Sequence, residues 1–282
     1  HSIRRRQRQM CIRDRLRSYT YIYPEPNDEK NVYTNAVLAG ERALEYLKKG
    51  FDAVKFDPVG LYTTNDPRTL TSQEILFVEK FIKCVRDAVG EKCDLLIGTH
   101  GQMTPDNAIR LANRIEKYDP FWLEEPVPPN NINAMAKVAH KINFPVATGE
   151  RLTTKYEFNQ IIEKKAASIL QLNMGRVGGI LEGKKIASMA EANHLSIAPH
   201  MYCGPIVAAA NIQVAASISN FLILEGIKDW NGFDSFIMKK YFKWEAGSVL
   251  LNSEPGLGVE IDEDKIENFP YEGSSLHLEM SE

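Results

Sequence analysis

Seven short apolar runs of this 282-residue chain each end in side chains that can bind a cation or move a proton. In chain order they end at Lys55-Phe56-Asp57, His100, Glu124, Glu150, Asn173, His200 and Glu225. Taken singly, such a glutamate is more often a helix cap or an ion-pair partner, and such a histidine is more often structural. Seven polar ends in one chain are harder to explain by scaffold needs alone, and they indicate a shared site.

These residue types suit the removal of a proton next to a carboxylate. Hard cations such as Mg²⁺ take carboxylate oxygens and keep positions open for substrate, which makes Glu124 and Glu150 candidate metal ligands. A metal ion on a substrate carboxylate stabilises the enediolate that forms when the neighbouring carbon loses its proton. The reaction also needs a base and an acid, and His100 and His200 suit those two jobs.

The elements that must position these side chains alternate along the chain from residue 18 onward. The predicted strands are Ser18–Tyr23, Ala53–Phe56, Leu95–Thr99, Phe121–Leu123, Pro145–Thr148, Ser168–Gln171, Ser196–Ala198 and Phe221–Leu224. The predicted helices, which have apolar residues at helical spacing, are Asn35–Lys49, Thr71–Val89, Asp106–Glu116, Ile132–His140, Lys155–Glu163, Ile180–Ala192 and Pro205–Ile218. This alternation predicts an α/β fold with parallel strands, and eight units favour a closed TIM-type barrel whose C-terminal strand ends share one rim.

Composition and charge exclude some function classes. The net charge of −3 argues against a nucleic-acid binder, and no run of 18 apolar residues could span a membrane. The segment from Arg4 to Arg17 holds seven arginines without apolar periodicity, and we interpret residues 1–15 as a disordered tail or foreign segment rather than a nucleic-acid arm or targeting peptide. Four isolated cysteines without a CxxC pair are typical of reduced thiols in a cytoplasmic enzyme.

Three stretches of the sequence resemble the enolase superfamily, and specifically its mandelate racemase subgroup. They are Phe121-Trp-Leu-Glu-Glu-Pro, Pro145-Val-Ala-Thr-Gly-Glu-Arg-Leu, and the region from Gly178 to Pro205 that includes Ala198-Pro-His200. The pattern is most similar to galactonate dehydratase-like acid-sugar dehydratases. The resemblance implies a (β/α)7β barrel, a Mg²⁺ cofactor and a small-molecule sugar-acid substrate such as an aldonate, which a hydro-lyase would convert to a 2-keto-3-deoxy acid.

The resemblance also implies roles for individual residues. Glu124 and Glu150 match metal ligands, and His200 matches a histidine that takes or returns a proton. His100 matches the histidine that acts on the leaving hydroxyl. Glu225 matches an acid near the substrate carboxylate, and Lys55 matches the first lysine of a Lys-x-Lys motif.

Three departures from the family pattern accompany the resemblance. Gly98 stands where the family has its first metal ligand, and we hypothesise that Asp57 or His100 supplies the missing ligand. Asn173 replaces the acid that pairs with the histidine at position 200, and an amide cannot stabilise a charged imidazole as a carboxylate does. Only the arginine-rich segment precedes the first strand, so the N-terminal capping domain of the family is predicted to be largely missing.

These departures leave alternatives open. A cycloisomerase of an anhydro-sugar acid needs the same proton abstraction, and a catalytically impaired barrel would also tolerate the changes. We predict a catalytic barrel over residues 16–232 and a C-terminal segment over residues 233–282 that packs outside it as a remnant of the capping region. Relatives are often oligomeric, which leaves a homo-oligomer open.

Overall fold

Eight parallel strands alternate with seven helices in the computed structural model, which describes residues 14–60, 67–226 and 233–268. The strands are β1 (Arg15–Tyr21), β2 (Ala53–Phe56), β3 (Asp94–Gly98), β4 (Pro120–Glu124), β5 (Val146–Thr148), β6 (Ile169–Leu170), β7 (Ser196–Ile197) and β8 (Leu224–Gly226). The helices between them are α1 (Ala36–Lys48), α2 (Ser72–Val89), α3 (Pro105–Ile115), α4 (Ile132–Ala139), α5 (Lys155–Glu163), α6 (Ile180–Ala192) and α7 (Pro205–Ser217). The predicted (β/α)7β barrel is confirmed.

Local sequence signals explain where several helices begin. At the start of α2, Thr71 accepts a hydrogen bond from the backbone of Glu74, whose carboxylate accepts one from the backbone of Thr71 in return. The same capping box, formed by Thr154 and Glu157, starts α5. It satisfies backbone N–H groups that the first turn of a helix leaves without a partner.

The sheet closes between its first and last strands. Neighbouring strands pair in parallel from β1 through β7, and β8 pairs with β1 through Tyr19 and Glu225. A parallel bridge between Ile197 and Phe221 links the approach to β8 with β7. Strand β8 was predicted at Phe221–Leu224 and begins three residues later, because residues 220–222 first bond to Ile197 before the chain reaches β1.

One apolar or small side chain from each strand region fills the barrel interior. The layer consists of Tyr19, Ala53, Leu96, Trp122, Ala147, Ile169, Ala198 and Ile223. Side chains of a strand alternate between its two faces. The residue two positions after each member of this layer therefore also faces the barrel axis, one layer nearer the C-terminal mouth. These packed side chains form the floor beneath the mouth of the barrel.

The C-terminal segment adds short strands on the outside of the barrel wall. Strands β10 (Lys243–Glu245) and β11 (Ser248–Leu250) form an antiparallel hairpin, and β11 pairs with the first half of β1. The remaining elements are α8 (Phe233–Phe236), β9 (Met238–Lys240), β12 (Glu260–Ile261) and α9 (Glu263–Glu267). Of the predicted tail, residues 1–13 lie outside the described residues, and Arg15 already belongs to β1. The predicted domain boundaries stay predictions.

No helix among the described residues is both long and apolar enough to cross a membrane.

Candidate active site

The polar layer of the barrel follows from the apolar layer by the alternation of the strands. Two residues after the members of that floor come Tyr21, Lys55, Gly98, Glu124, Gly149, Gln171, His200 and Glu225. Four of the residues predicted from the sequence are therefore neighbours because of strand geometry: Lys55, Glu124, His200 and Glu225. All four are buried.

Lys55 lies between two carboxylates in the centre of this layer. Its Nζ donates to Glu124 Oε1 at 2.5 Å and to Glu225 Oε1 at 3.2 Å. Burial alone would lower the pKa of Lys55, but the charges of Glu124 and Glu225 raise it well above its usual value. Lys55 is therefore a fixed ammonium ion and is not available as a base.

Glu124 has three hydrogen-bond donors on its two oxygens. Besides the ammonium group of Lys55 on Oε1, Trp122 Nε1 donates to Oε2 at 3.2 Å and Gln171 Nε2 donates to the same oxygen at 2.7 Å. The residue is 2% exposed, so these donors replace water. The Trp122 and Gln171 donors were missed by the sequence analysis, although both lie on the strand faces that point to the barrel axis.

Glu150 follows β5 and lies among the positive groups of the mouth. Its Oε2 is 3.7 Å from His200 Nε2, and Glu225 Oε2 is 3.8 Å from the same nitrogen. Burial alone would raise the pKa of Glu150, but the charges of His200, Lys55, His100 and Arg151 hold it well below its usual range. Glu150 therefore remains an anion that faces the imidazole of His200.

Asn173 fixes the protonation pattern of His200. Its Nδ2 contacts His200 Nδ1 at 2.9 Å, while its Oδ1 accepts the backbone N–H of Gly175 at 2.8 Å. The bond from Gly175 identifies which end of the amide is the oxygen, so the group that faces His200 is an N–H donor. His200 Nδ1 must accept this hydrogen bond, and the proton of the neutral ring lies on Nε2, towards Glu150 and Glu225.

A histidine–aspartate pair lies at the ends of β2 and β3. His100 Nδ1 is 2.6 Å from Asp57 Oδ2. Burial alone would lower the pKa of His100, but the hydrogen bond and charge of Asp57 raise it to about 9. Because Asp57 holds Nδ1–H, the second ring nitrogen of His100 is the one that can carry a proton to and from another molecule.

The backbone that carries His100 is strained and braced. His100 has a φ of 47° and Gly101 a φ of 75°, in the left-handed region that non-glycine residues rarely adopt. Arg151 Nη2 donates to the carbonyl of His100 at 3.0 Å, and Arg151 Nε donates to Glu125 Oε2 at 2.7 Å.

Burial raises the pKa of Glu125 to about 7, while Arg151 opposes that shift. Arg151 and Glu125 were not singled out from sequence, although both directly follow predicted metal ligands.

The donor set does not fit a divalent metal ion bound by three carboxylates. Gly98 offers no ligand, and Asp57, which was expected to replace it, is hydrogen-bonded to His100. Both oxygens of Glu124 accept N–H donors. Within the described ranges, no three His, Cys, Asp or Glu side chains are grouped so that they could hold a metal ion. The described residues therefore offer no complete site of this kind for a metal ion.

A family model described as enolase C-terminal domain-like matches residues 39–265. The chain belongs to the enolase superfamily. A solved relative is a candidate mandelate racemase/muconate lactonizing enzyme from Labrenzia alexandrii, which superimposes with a TM-score of 0.91 at 52% identity over 96% of this chain and 69% of that one. Members of the enolase superfamily generally use Mg²⁺.

Two relatives of this enolase-superfamily barrel carry names that describe dehydratases. The D-xylonate dehydratase of Haloferax volcanii is 34% identical over 267 residues, which cover 94% of this chain and 64% of that protein. The D-gluconate/D-galactonate dehydratase of Picrophilus torridus is 32% identical over 264 residues, which cover 90% of this chain and 66% of that protein. The chain thus spans just under two thirds of the length of these curated relatives.

Proposed function

We propose that this chain is the catalytic barrel of a dehydratase that converts a sugar acid such as an aldonate to a 2-keto-3-deoxy acid. The proton on C2 leaves to a base, the carboxylate becomes an enediolate, and the C3 hydroxyl departs with one proton as water. The resulting enol takes a proton at C3 and becomes the keto acid. The dehydratase names of the two relatives favour this elimination over cycloisomerisation.

The His100–Asp57 pair is the observation that carries this proposal. A histidine whose Nδ1 is held by a carboxylate can accept a proton on Nε2 and release it again, as elimination requires. Lys55 is held as an ammonium ion by two carboxylates. The Nε2 of His200 already carries a proton. We therefore assign both transfers to His100, which takes the C2 proton and returns it to the departing C3 hydroxyl.

The other polar groups of the mouth suit a polyhydroxy acid. The Nε2–H of His200 can donate to a substrate oxygen. The hydroxyl of Tyr19, which belongs to the layer directly beneath the mouth, and Oε1 of Gln171 are buried without a hydrogen-bond partner in the described part of the chain. Buried polar atoms of this kind are costly unless a ligand or water satisfies them. One donor and one acceptor left over in this way match the hydroxyls of a sugar acid.

The test is the conversion of D-xylonate, D-gluconate and D-galactonate, followed by the appearance of a keto acid as its semicarbazone. We expect turnover of at least one of these acids, and a loss of roughly 100-fold or more in kcat for His100→Asn. His140→Asn is the matched control, because His140 is an exposed histidine at the end of α4. Keto acid formation that survives in His100→Asn, or its absence with every aldonate, would contradict the proposal.

A further inference from the structure

We propose that the ammonium group of Lys55 takes the place of a divalent metal ion in this site, so that the chain holds a carboxylate substrate without a bound metal. The identity of that substrate rests on the proposed function. The placement of Lys55 rests on geometry alone.

Gly98 leaves open the space against which the side chain of Lys55 lies. A Cβ on residue 98 would be 3.4 Å from Lys55 Cε and 4.0 Å from Asp57 Cβ. Gly98 is also the register partner of Glu124 across β3 and β4. An acidic side chain at position 98 would therefore enter the space between Lys55 and Glu124, where it would have to share room with the lysine stem.

The oxygens of Glu124 are already committed to N–H donors. Lys55 binds Oε1 at 2.5 Å, and Trp122 and Gln171 bind Oε2. Both lone pairs of Oε2 are taken, so a cation that coordinated Glu124 would have to bind Oε1 beside the ammonium of Lys55, in a site where the carboxylate is 2% exposed. The positive charge of Lys55 on that same oxygen opposes the approach of a second cation.

Three carboxylates, those of Glu124, Glu150 and Glu225, lie around the ammonium group of Lys55, which bonds directly to Glu124 and Glu225. Gly98 adds no fourth carboxylate, so this site has one negative charge fewer to neutralise than a site with an acid at position 98. The ammonium of Lys55 supplies positive charge from within the layer itself.

Lys55 keeps one N–H for a ligand. An ammonium group has three N–H donors, and Glu124 and Glu225 take two of them. The third can donate to a substrate carboxylate, and the positive charge stabilises the negative charge that grows on that carboxylate as the enediolate forms.

A metal titration read by thermal unfolding tests the proposal. Wild-type protein is treated with EDTA and dialysed, and its unfolding midpoint is measured with millimolar MgCl₂ or MnCl₂ and with NaCl of matched ionic strength. We expect no midpoint shift that is specific to the divalent ion. The double variant Lys55→Met/Gly98→Asp restores three carboxylates and removes the ammonium, and its midpoint should rise by roughly 5 °C or more with Mg²⁺.

A control variant separates the effect of the ammonium from general effects of the substitutions. Lys80→Met/Gly98→Asp alters an exposed lysine of α2 and keeps Lys55, so its midpoint should not respond to Mg²⁺. If the Lys55→Met/Gly98→Asp variant is unfolded in EDTA, its refolding on addition of Mg²⁺ is measured by circular dichroism. Recovery of folded structure that requires Mg²⁺ then replaces the midpoint shift as the readout. A Mg²⁺-dependent rise in the wild-type midpoint, or one Mn²⁺ retained per wild-type chain after dialysis, would overturn the proposal.

The turnover assay distinguishes this inference from the proposed function. Keto acid formation that EDTA abolishes and Mg²⁺ restores would support the dehydratase and overturn the role of Lys55. Turnover that EDTA leaves unchanged supports both. Failure of every aldonate together with a metal-insensitive wild-type midpoint would reject the dehydratase and still support the placement of Lys55.

Discussion

The side-chain amide of Asn173 donates to Nδ1 of His200 over 2.9 Å, and its oxygen is fixed in place by the backbone N–H of Gly175. This arrangement differs from the aspartate–histidine pair of a general base, in which the carboxylate accepts a proton from Nδ1 and leaves Nε2 free. The histidine–aspartate pair of this barrel lies instead at the ends of β2 and β3, between Asp57 and His100. The two imidazoles of the mouth therefore differ in what they can do with a proton.

The first prediction concerns the tautomer of His200. We expect the ¹⁵N chemical shifts of its ring to show a proton on Nε2 and none on Nδ1 in the wild-type protein. In Asn173→Asp the new carboxylate accepts from Nδ1, so a proton should appear on that nitrogen. A wild-type spectrum with a protonated Nδ1 would contradict the assignment. The ring of exposed His140 provides an internal reference.

A second prediction concerns the pH dependence of catalysis. His100 must be deprotonated to take the C2 proton, and its pKa is about 9. We therefore expect kcat/KM to rise about tenfold per pH unit below that value and to level off above it. Asp57→Asn removes the charge that raises this pKa, so the bend in the profile should move to lower pH. Activity that falls as the pH approaches 9 would show that His100 acts only as an acid.

The same pair predicts a pH dependence of folding. Because the pKa of His100 rises from 6.5 to about 9 on folding, its contribution is fully present below pH 6.5 and is lost as the pH rises through about 9. The shift corresponds to at most about 3–4 kcal/mol, since each pKa unit is about 1.4 kcal/mol. Urea unfolding at several pH values should show this loss in the wild type and a smaller one in Asp57→Asn. If the unfolding free energy fell equally with rising pH in both proteins, the pair of Asp57 and His100 would be ruled out as the cause.

A fourth prediction concerns the buried ammonium. Lys55→Met leaves Glu124 and Glu225 buried without their cation, and we expect the free energy of unfolding to fall by about 3–5 kcal/mol. Lys80→Met, at an exposed position of α2, should change it by less than about 0.5 kcal/mol. The double variant Lys55→Met/Glu124→Gln should lose less than the sum of its single changes, because one unpaired charge is gone. Additive losses would show that the ion pair contributes little.

The final prediction concerns the loop that carries His100. A Cβ on Gly101, at a φ of 75°, would lie 2.6 Å from Arg151 Nη2 and 2.9 Å from Pro128 Cα. Gly101→Ala should therefore cost about 2–4 kcal/mol of unfolding free energy and reduce kcat with it.

Gly90 offers a matched control for that loop. It has a φ of 61° and a ψ of −152° with nothing within 4 Å of an added Cβ, so Gly90→Ala should cost only the backbone strain, about 1–3 kcal/mol, and should lose less than Gly101→Ala. Similar losses in the two variants would mean that the left-handed backbone alone, and not the contact with Arg151 and Pro128, sets the cost.

The sequence by itself determined the order of the elements and the rim on which the polar residues collect. Helical spacing placed helices such as α2, α5 and α6 within one residue of their observed bounds. Strand alternation then put Lys55, Glu124 and Glu225 on one layer, because residues two apart on a strand face the same side. Strand β8 was displaced because pairing with Ile197, far away in sequence, governs that stretch.

Only the tertiary structure decided which of these side chains bond to each other. Lys55 and Glu124 are 69 residues apart in the chain, and Asp57 and His100 are 43 apart. No local pattern specifies such a pair, because it depends on the register of neighbouring strands and on which space a missing side chain leaves open. The sequence thus identified Asp57 as a polar strand end, but the fold directs it to His100. In the same way, the sequence shows only that Gly98 lacks the side chain of a metal ligand. The fold shows that Lys55 lies against Gly98.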